Sequence, residues 1–162
     1  MRIHVLFLCR RNSARSIMAE SMLNALGGGR FKAYSAGSEP LGRVHPLAIE
    51  LLNRHGYDTA GARSKDWSEF TGPQAPRLDY VISLCDESAE LACRVFGGKP
   101  VRAHWPIADP AVVQGSADSQ RQAFLRALSS LRRRVQRFTG LPFESIDGQV
   151  MGSLVQEIGS DA

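Results

Sequence analysis

The stretch IHVLFLC, residues 3–9, is almost continuously apolar, and a helical pattern begins a few residues after it ends. A strand with no polar alternation is buried on both faces, which belongs to a parallel sheet covered by helices. LDYVISLC at 78–85 repeats the feature. Parallel neighbours need crossover connections, and the intervening sequence supplies helical ones. Residues 16–26 carry Met18, Met22 and Ala25 at helical spacing, and Gly27-Gly28-Gly29 stops them. FKAYSAG (31–37) reads as a second strand. HPLAIELLNRHG (45–56) reads as a helix with Pro46 in its first turn and Gly56 at its end.

Residues 57–77 hold Pro73 and Pro76 and read as irregular, with a short helical turn around Trp67 to Phe70. DESAELACR, from Asp86, is either a short helix or a mobile loop. VRAHW (101–105) is a weaker strand before the loop PIADPAVVQGS. Phe124, Leu128, Leu131, Val135 and Phe138 form one stripe of an amphipathic helix over 118–138. A last helix over 143–158 carries Ile146, Val150, Leu154 and Ile158. The expected fold is an α/β three-layer sandwich: a central parallel sheet of about four strands, helices on both faces, one domain over 1–162. Ligands in such folds sit at the carboxyl ends of the strands. Cys9, Cys85 and the 106–110 loop all follow strands, so they are expected to meet there.

The net charge of +4 suits an anionic partner. The bases are scattered, apart from RRRVQR at 132–137, which reads as a solvated helix face. Aromatics make up 7% of the chain and do not interleave with bases, so no nucleic-acid partner is expected. No stretch approaches the ~20 apolar residues of a membrane span, and the short apolar start lacks a small-residue cleavage site. A cytoplasmic protein without a membrane partner is expected. Its three cysteines are too few and of the wrong parity for a disulfide framework, which leaves them for redox or nucleophilic chemistry.

LCRRNSARSIMAE, residues 8–20, carries the densest chemistry. Cys9 ends a strand, and Arg15 and Ser16 open a helix. A helix N-terminus presents unpaired N–H groups and partial positive charge, and a loop around it makes an anion cradle. The loop from Arg10 through Arg11, Asn12, Ser13 and Ala14 to Arg15 and Ser16 would bind an oxyanion through its backbone and the Arg15 fork. Cys9 would face the central atom. The same field favours the thiolate, and a Ser16 hydroxyl bonded to the sulfur favours it further. Asn12 can brace the loop. Together these make an activated nucleophile aimed at an oxyanion.

CRRNSARSIMAE resembles the phosphate-binding loop of the low-molecular-weight protein tyrosine phosphatase superfamily, and the whole chain resembles the arsenate reductases that share its fold. YSAGS (34–38), CDESAELAC (85–93) and HWPIADP (104–110) fall in the family's order. The resemblance implies that Asp109, before Pro110, protonates a departing oxygen. The phosphatases carry an aromatic pair after that Asp-Pro; this chain has Ala111-Val112, which offers no wall to a phenyl ring. The resemblance further implies reduction of arsenate, with phosphate and sulfate as competing anions. Cys9 attacks arsenic, Cys85 attacks the Cys9 sulfur, and Cys93 takes over the disulfide. It implies no bound cofactor, but an external thiol reductant: thioredoxin, or glutaredoxin with glutathione. A phosphatase acting on phosphotyrosine or small phosphoesters is the alternative.

The family usually has Gly where this chain has Arg11. If that position needs φ > 0, the arginine is strained; if not, Arg10 and Arg11 add cations beside the cradle. His45 reads as a cap-region residue and His104 as loop-bracing. Some relatives bind potassium near the cradle, for which Asn12, Glu20, Ser35 and Asp66 offer oxygens; no metal is assigned. Arg63, Ser64 and Lys65 border the site without an assigned role.

Overall fold

The computed structural model describes residues 2–86, 100–145 and 147–160. Strands β1 (Ile3–Leu8), β2 (Phe31–Ala36), β3 (Tyr80–Ser83) and β4 (Val101–His104) form one all-parallel sheet in the order β2-β1-β3-β4. Among the described residues the α-helices are α1 (Arg15–Leu26), α2 (Pro46–Arg54), α3 (Ala117–Thr139) and α4 (Gly148–Ile158). The fold is the α/β parallel-sheet architecture expected from the sequence. From β1 the chain moves to one side for β2 and to the other for β3 and β4. The order therefore reverses at β1, and its carboxyl end is the crevice where ligands of such sheets bind.

The apolar runs behave as two-faced strands. Val5 and Phe7 face the main core with Ala33, Tyr80 and Ile82; Leu6 and Leu8 face a second cluster with Ala36, Val81 and Phe70. The helices contribute to the main core: Met18, Met22 and Leu23 from α1, Leu51 and Leu52 from α2, and Met151, Val155 and Ile158 from α4. All five stripe residues of α3 are buried there. Among the described residues, the second cluster is covered by the 3-10 turn Trp67–Phe70.

Three details differ from the sequence reading. Ala25 is exposed, and Leu23 takes its place on the buried side of α1. The last helix begins at Gly148 rather than 143, because Asp147 caps it through Oδ1 to the N–H groups of Gln149 and Val150. Its buried stripe is Met151, Val155 and Ile158, while Val150 is exposed. Finally, the 132–137 run is not wholly solvated: Arg134 is buried and donates from Nη1 to the Pro106 carbonyl at 3.0 Å. No helix among the described residues is long and apolar enough to cross a membrane.

Candidate active site

Cys9 is the first residue beyond β1, and backbone bonds carry the sheet past its strand ends at this point. Leu84 N–H donates to the Leu8 carbonyl at 2.8 Å, and Ile107 N–H donates to the Leu84 carbonyl at 3.1 Å. Cys9, Cys85 and the 106–110 loop therefore lie side by side at the carboxyl edge. Cys9 and Cys85 are both buried in the main core. Cys93 lies outside the described residues.

The loop between Cys9 and α1 is held from below and from one side. Ala36 O accepts the Cys9 N–H at 3.3 Å. Glu39 and Leu41 N–H groups donate to the carbonyls of Arg10 and Arg11, each at 2.9 Å, and His45 N–H donates to that of Ser13 at 2.8 Å. These bonds occupy the carbonyls of Arg10, Arg11 and Ser13, and a loop whose amides converge in this way makes an anion cradle. At the start of α1 no side chain caps the helix, and no acid sits in its first turn. The N-terminus thus keeps its partial positive charge for a ligand.

Asn12 is fully buried and is the one non-glycine residue with positive φ among those described, at 46°. Asparagine tolerates the left-handed region better than most residues. Arg11 does not adopt it, so the arginine at the family's usual glycine position carries no such strain. The two neighbouring cations do not point freely at the cradle. Arg10 donates to Glu39 Oε2 from Nε at 3.2 Å and Nη2 at 3.0 Å, and Arg11 Nη1 lies 3.8 Å from the same oxygen. One exposed carboxylate therefore offsets part of their charge.

A polar chain runs from the 63–66 segment to the sulfur. Lys65 N–H donates to Asn12 Oδ1 at 2.9 Å, which fixes the amide orientation because an N–H can only donate. Asn12 Nδ2 then donates to Ser16 Oγ at 2.7 Å. Ser16 Oγ lies 2.9 Å from Cys9 Sγ. When the sulfur is deprotonated, the only proton between the two is the serine's, so Ser16 donates to the thiolate. Sequence reading singled out Asn12 and Ser16 but missed this origin of their alignment.

Arg15 is buried and splits its fork. Nη1 donates to the Ile107 carbonyl at 3.0 Å, and Nη2 lies 3.5 Å from Asp109 Oδ2. Asp109 Oδ1 caps the short turn Pro110–Val112 through Ala111 N–H at 2.9 Å, which leaves Oδ2 toward the arginine. Val112 is exposed, and Ala111 is partly buried.

Two further residues were not assigned from sequence. A Cβ on Gly37 would lie 2.5 Å from the Arg10 carbonyl oxygen and 2.8 Å from that of Cys9. Only glycine lets β2 approach the loop so closely. Lys65 is buried, and its ammonium donates to the Arg63 carbonyl at 2.8 Å and to Ser35 Oγ at 3.3 Å, with Glu20 Oε1 at 3.7 Å. Of the four oxygens considered for potassium, Asn12 Oδ1 is spent on Lys65 N–H and Asp66 Oδ1 on Ser68 N–H. Ser35 and Glu20 already hold the ammonium. This oxygen set does not fit a bound cation. Among the described residues, no three His, Cys, Asp or Glu side chains gather as a metal site.

The histidines are structural. His45 Nδ1 accepts from Leu47 N–H at 3.1 Å and caps α2. Burial lowers its proton affinity, Asp109 opposes that, and Arg43 adds to it. His104 bridges Ser83 Oγ at 2.7 Å and Asp86 Oδ1 at 2.9 Å. Ser64 Oγ donates to the Arg11 carbonyl at 3.2 Å, and Arg63 pairs with Glu69.

Comparison with known proteins covers nearly the whole chain. The model of the family described as low molecular weight phosphotyrosine protein phosphatase matches residues 4–150. An arsenate reductase of Bacillus licheniformis is 32% identical over 135 residues, 83% of this chain and 93% of the relative. A glutaredoxin arsenate reductase of Synechocystis is 37% identical over 106 residues, 65% of this chain and 77% of the relative. The crystal structure of an arsenate reductase from Archaeoglobus fulgidus superposes with a TM-score of 0.67 at 30% identity, covering 85% of this chain and 99% of that one.

Proposed function

The chain belongs to the low molecular weight phosphotyrosine protein phosphatase family, and on that premise we propose that it is a thiol-dependent arsenate reductase. The observation that carries this reading is Cys85, buried beside Cys9 at the same sheet edge. Hydrolysis of a phosphoester needs one thiol, because water completes it. Reduction of arsenate to arsenite needs two electrons, and a second thiol supplies the partner for them.

Arsenate enters the cradle and draws on the backbone N–H groups and Arg15. Cys9 Sγ, 2.9 Å from Ser16 Oγ, displaces one arsenate oxygen and forms a sulfur–arsenic bond. Asp109 Oδ2 gives that oxygen its proton. The Cys85 thiolate then attacks the Cys9 sulfur. The sulfur–arsenic bond breaks with its electron pair staying on arsenic, which leaves as arsenite, and a Cys9–Cys85 disulfide remains. Cys93 attacks Cys85 in turn and frees Cys9. Thioredoxin, or glutaredoxin with glutathione, reduces the final disulfide. Such a relay requires a reducing compartment, and we propose the cytoplasm as that compartment.

The test compares wild type, Cys9→Ser and Cys85→Ser in arsenite release, with each donor system supplied separately, and in hydrolysis of an aryl phosphate. The reading expects arsenite release to need both cysteines, with one donor preferred. Aryl-phosphate hydrolysis that needs only Cys9, with no arsenite from wild type under either donor, would return the chain to phosphatase chemistry.

A further inference from the structure

Buried Lys65 and partly buried Glu20 form an ion pair that the proposed steps do not use. Glu20 is four residues after Ser16, so the two share a face of α1. Ser35 hydroxyl donates to Glu20 Oε1, which turns its lone pairs toward Lys65. The Lys65 side chain is 7% exposed, and its ammonium meets only acceptors: the Arg63 carbonyl, Ser35 Oγ and Glu20. Burial lowers the proton affinity of this amine, and Glu20 opposes that. Arg63 and Glu69 satisfy each other outside this pair at 2.6 and 2.9 Å.

The backbone of Lys65 ties the pair to the site. Its N–H orients Asn12, and its carbonyl accepts Gly37 N–H at 3.0 Å, where β2 touches the loop. We propose that Lys65 is a positioning residue for Cys9. Its ammonium pins the 63–66 segment that aligns Asn12 and Ser16, and it offsets the Glu20 carboxylate one turn of α1 beyond Ser16. Without it, the Glu20 carboxylate is unopposed one helical turn beyond Ser16, the residue that bonds the sulfur.

This inference rests on Cys9 being the activated nucleophile. Its test measures the pH profile of Cys9 alkylation by iodoacetamide, resolved from the other cysteines by peptide mass spectrometry. Lys65→Met should move the profile to higher pH by about one unit, read as a roughly ten-fold slower alkylation at pH values below the wild-type midpoint. Glu20→Gln, which leaves the ammonium unopposed, should move the profile to lower pH. The double variant should return it near wild type. A purely structural role would shift both single variants the same way, through loosening, and that result overturns the proposal. If Lys65→Met does not fold, an unmoved profile in Glu20→Gln overturns it equally. A wild-type Cys9 that titrates like an ordinary exposed thiol would instead overturn the nucleophile reading itself.

Discussion

The Ser16 oxygen takes a bond from Asn12 and lies 2.9 Å from Cys9 Sγ, to which it donates when the sulfur is deprotonated, so a single atom links the loop's shape to the sulfur's charge. A hydrogen bond to a charged group contributes about 1.5–3 kcal/mol. Ser16→Ala should therefore slow the step that consumes the Cys9 thiolate by roughly 10- to 100-fold, read as kcat/KM for arsenate, with the melting temperature little changed. Gly37→Ala acts differently. A Cβ 2.5 Å from the Arg10 carbonyl forces the loop away from β2, so both turnover and thermal stability should fall. At this scale the sequence was legible where the residues share one short window: Cys9, Asn12, Arg15 and Ser16. Gly37, Glu39 and Lys65 reach the loop only through the fold, and no local spacing announces them. The pair Arg10-Arg11 read as two cations for the oxyanion, because the Glu39 that engages both is 28 residues beyond Arg11.

Helix α2 begins on a titratable cap. Only a neutral imidazole has the Nδ1 lone pair that accepts Leu47 N–H, and burial holds His45 in that form. A histidine whose folded proton affinity lies below its unfolded one stabilises the fold above the unfolded pKa of about 6.5, and this stability is lost as pH falls below it. Urea midpoints should therefore drop from pH 7.5 to pH 5 more steeply in wild type than in His45→Asn, which keeps a cap but does not titrate there. Equal slopes would show that His45 contributes nothing to the pH response. Among the elements, the strands could be read nearly residue by residue, since burial on both faces leaves a continuous apolar signature. The phase of α4 could not. Val150 and Met151 are both apolar, and the choice between them is made by the Asp147 cap and by packing on β4, where the Trp105 indole donates to the Val155 carbonyl at 2.8 Å.

Over the whole molecule, much of the core's packing converges on one ring. Phe138, fully buried, meets Phe31, Tyr80, Trp105 and Phe143 in tilted and edge-on ring pairs. Phe138→Ala should cost about 3–5 kcal/mol by denaturant unfolding. Turnover per folded molecule should be unchanged at low temperature, because none of these rings is part of the loop, Arg15 or Asp109. The chemistry gathers instead where the strand order reverses, and that placement was legible from the alternation of buried strands and helices. It brings Cys9 and Cys85 together from 76 positions apart in the chain. The central claim is that these two sulfurs supply the electrons. Reduced Cys93→Ser protein, given arsenate and no thiol donor, should be quenched with iodoacetamide and peptide-mapped. The account predicts one arsenite per protein and a Cys9–Cys85 disulfide in equal amount. Arsenite formed with both cysteines recovered as carboxamidomethyl thiols, or no arsenite at all from a protein that hydrolyses aryl phosphate, would contradict it.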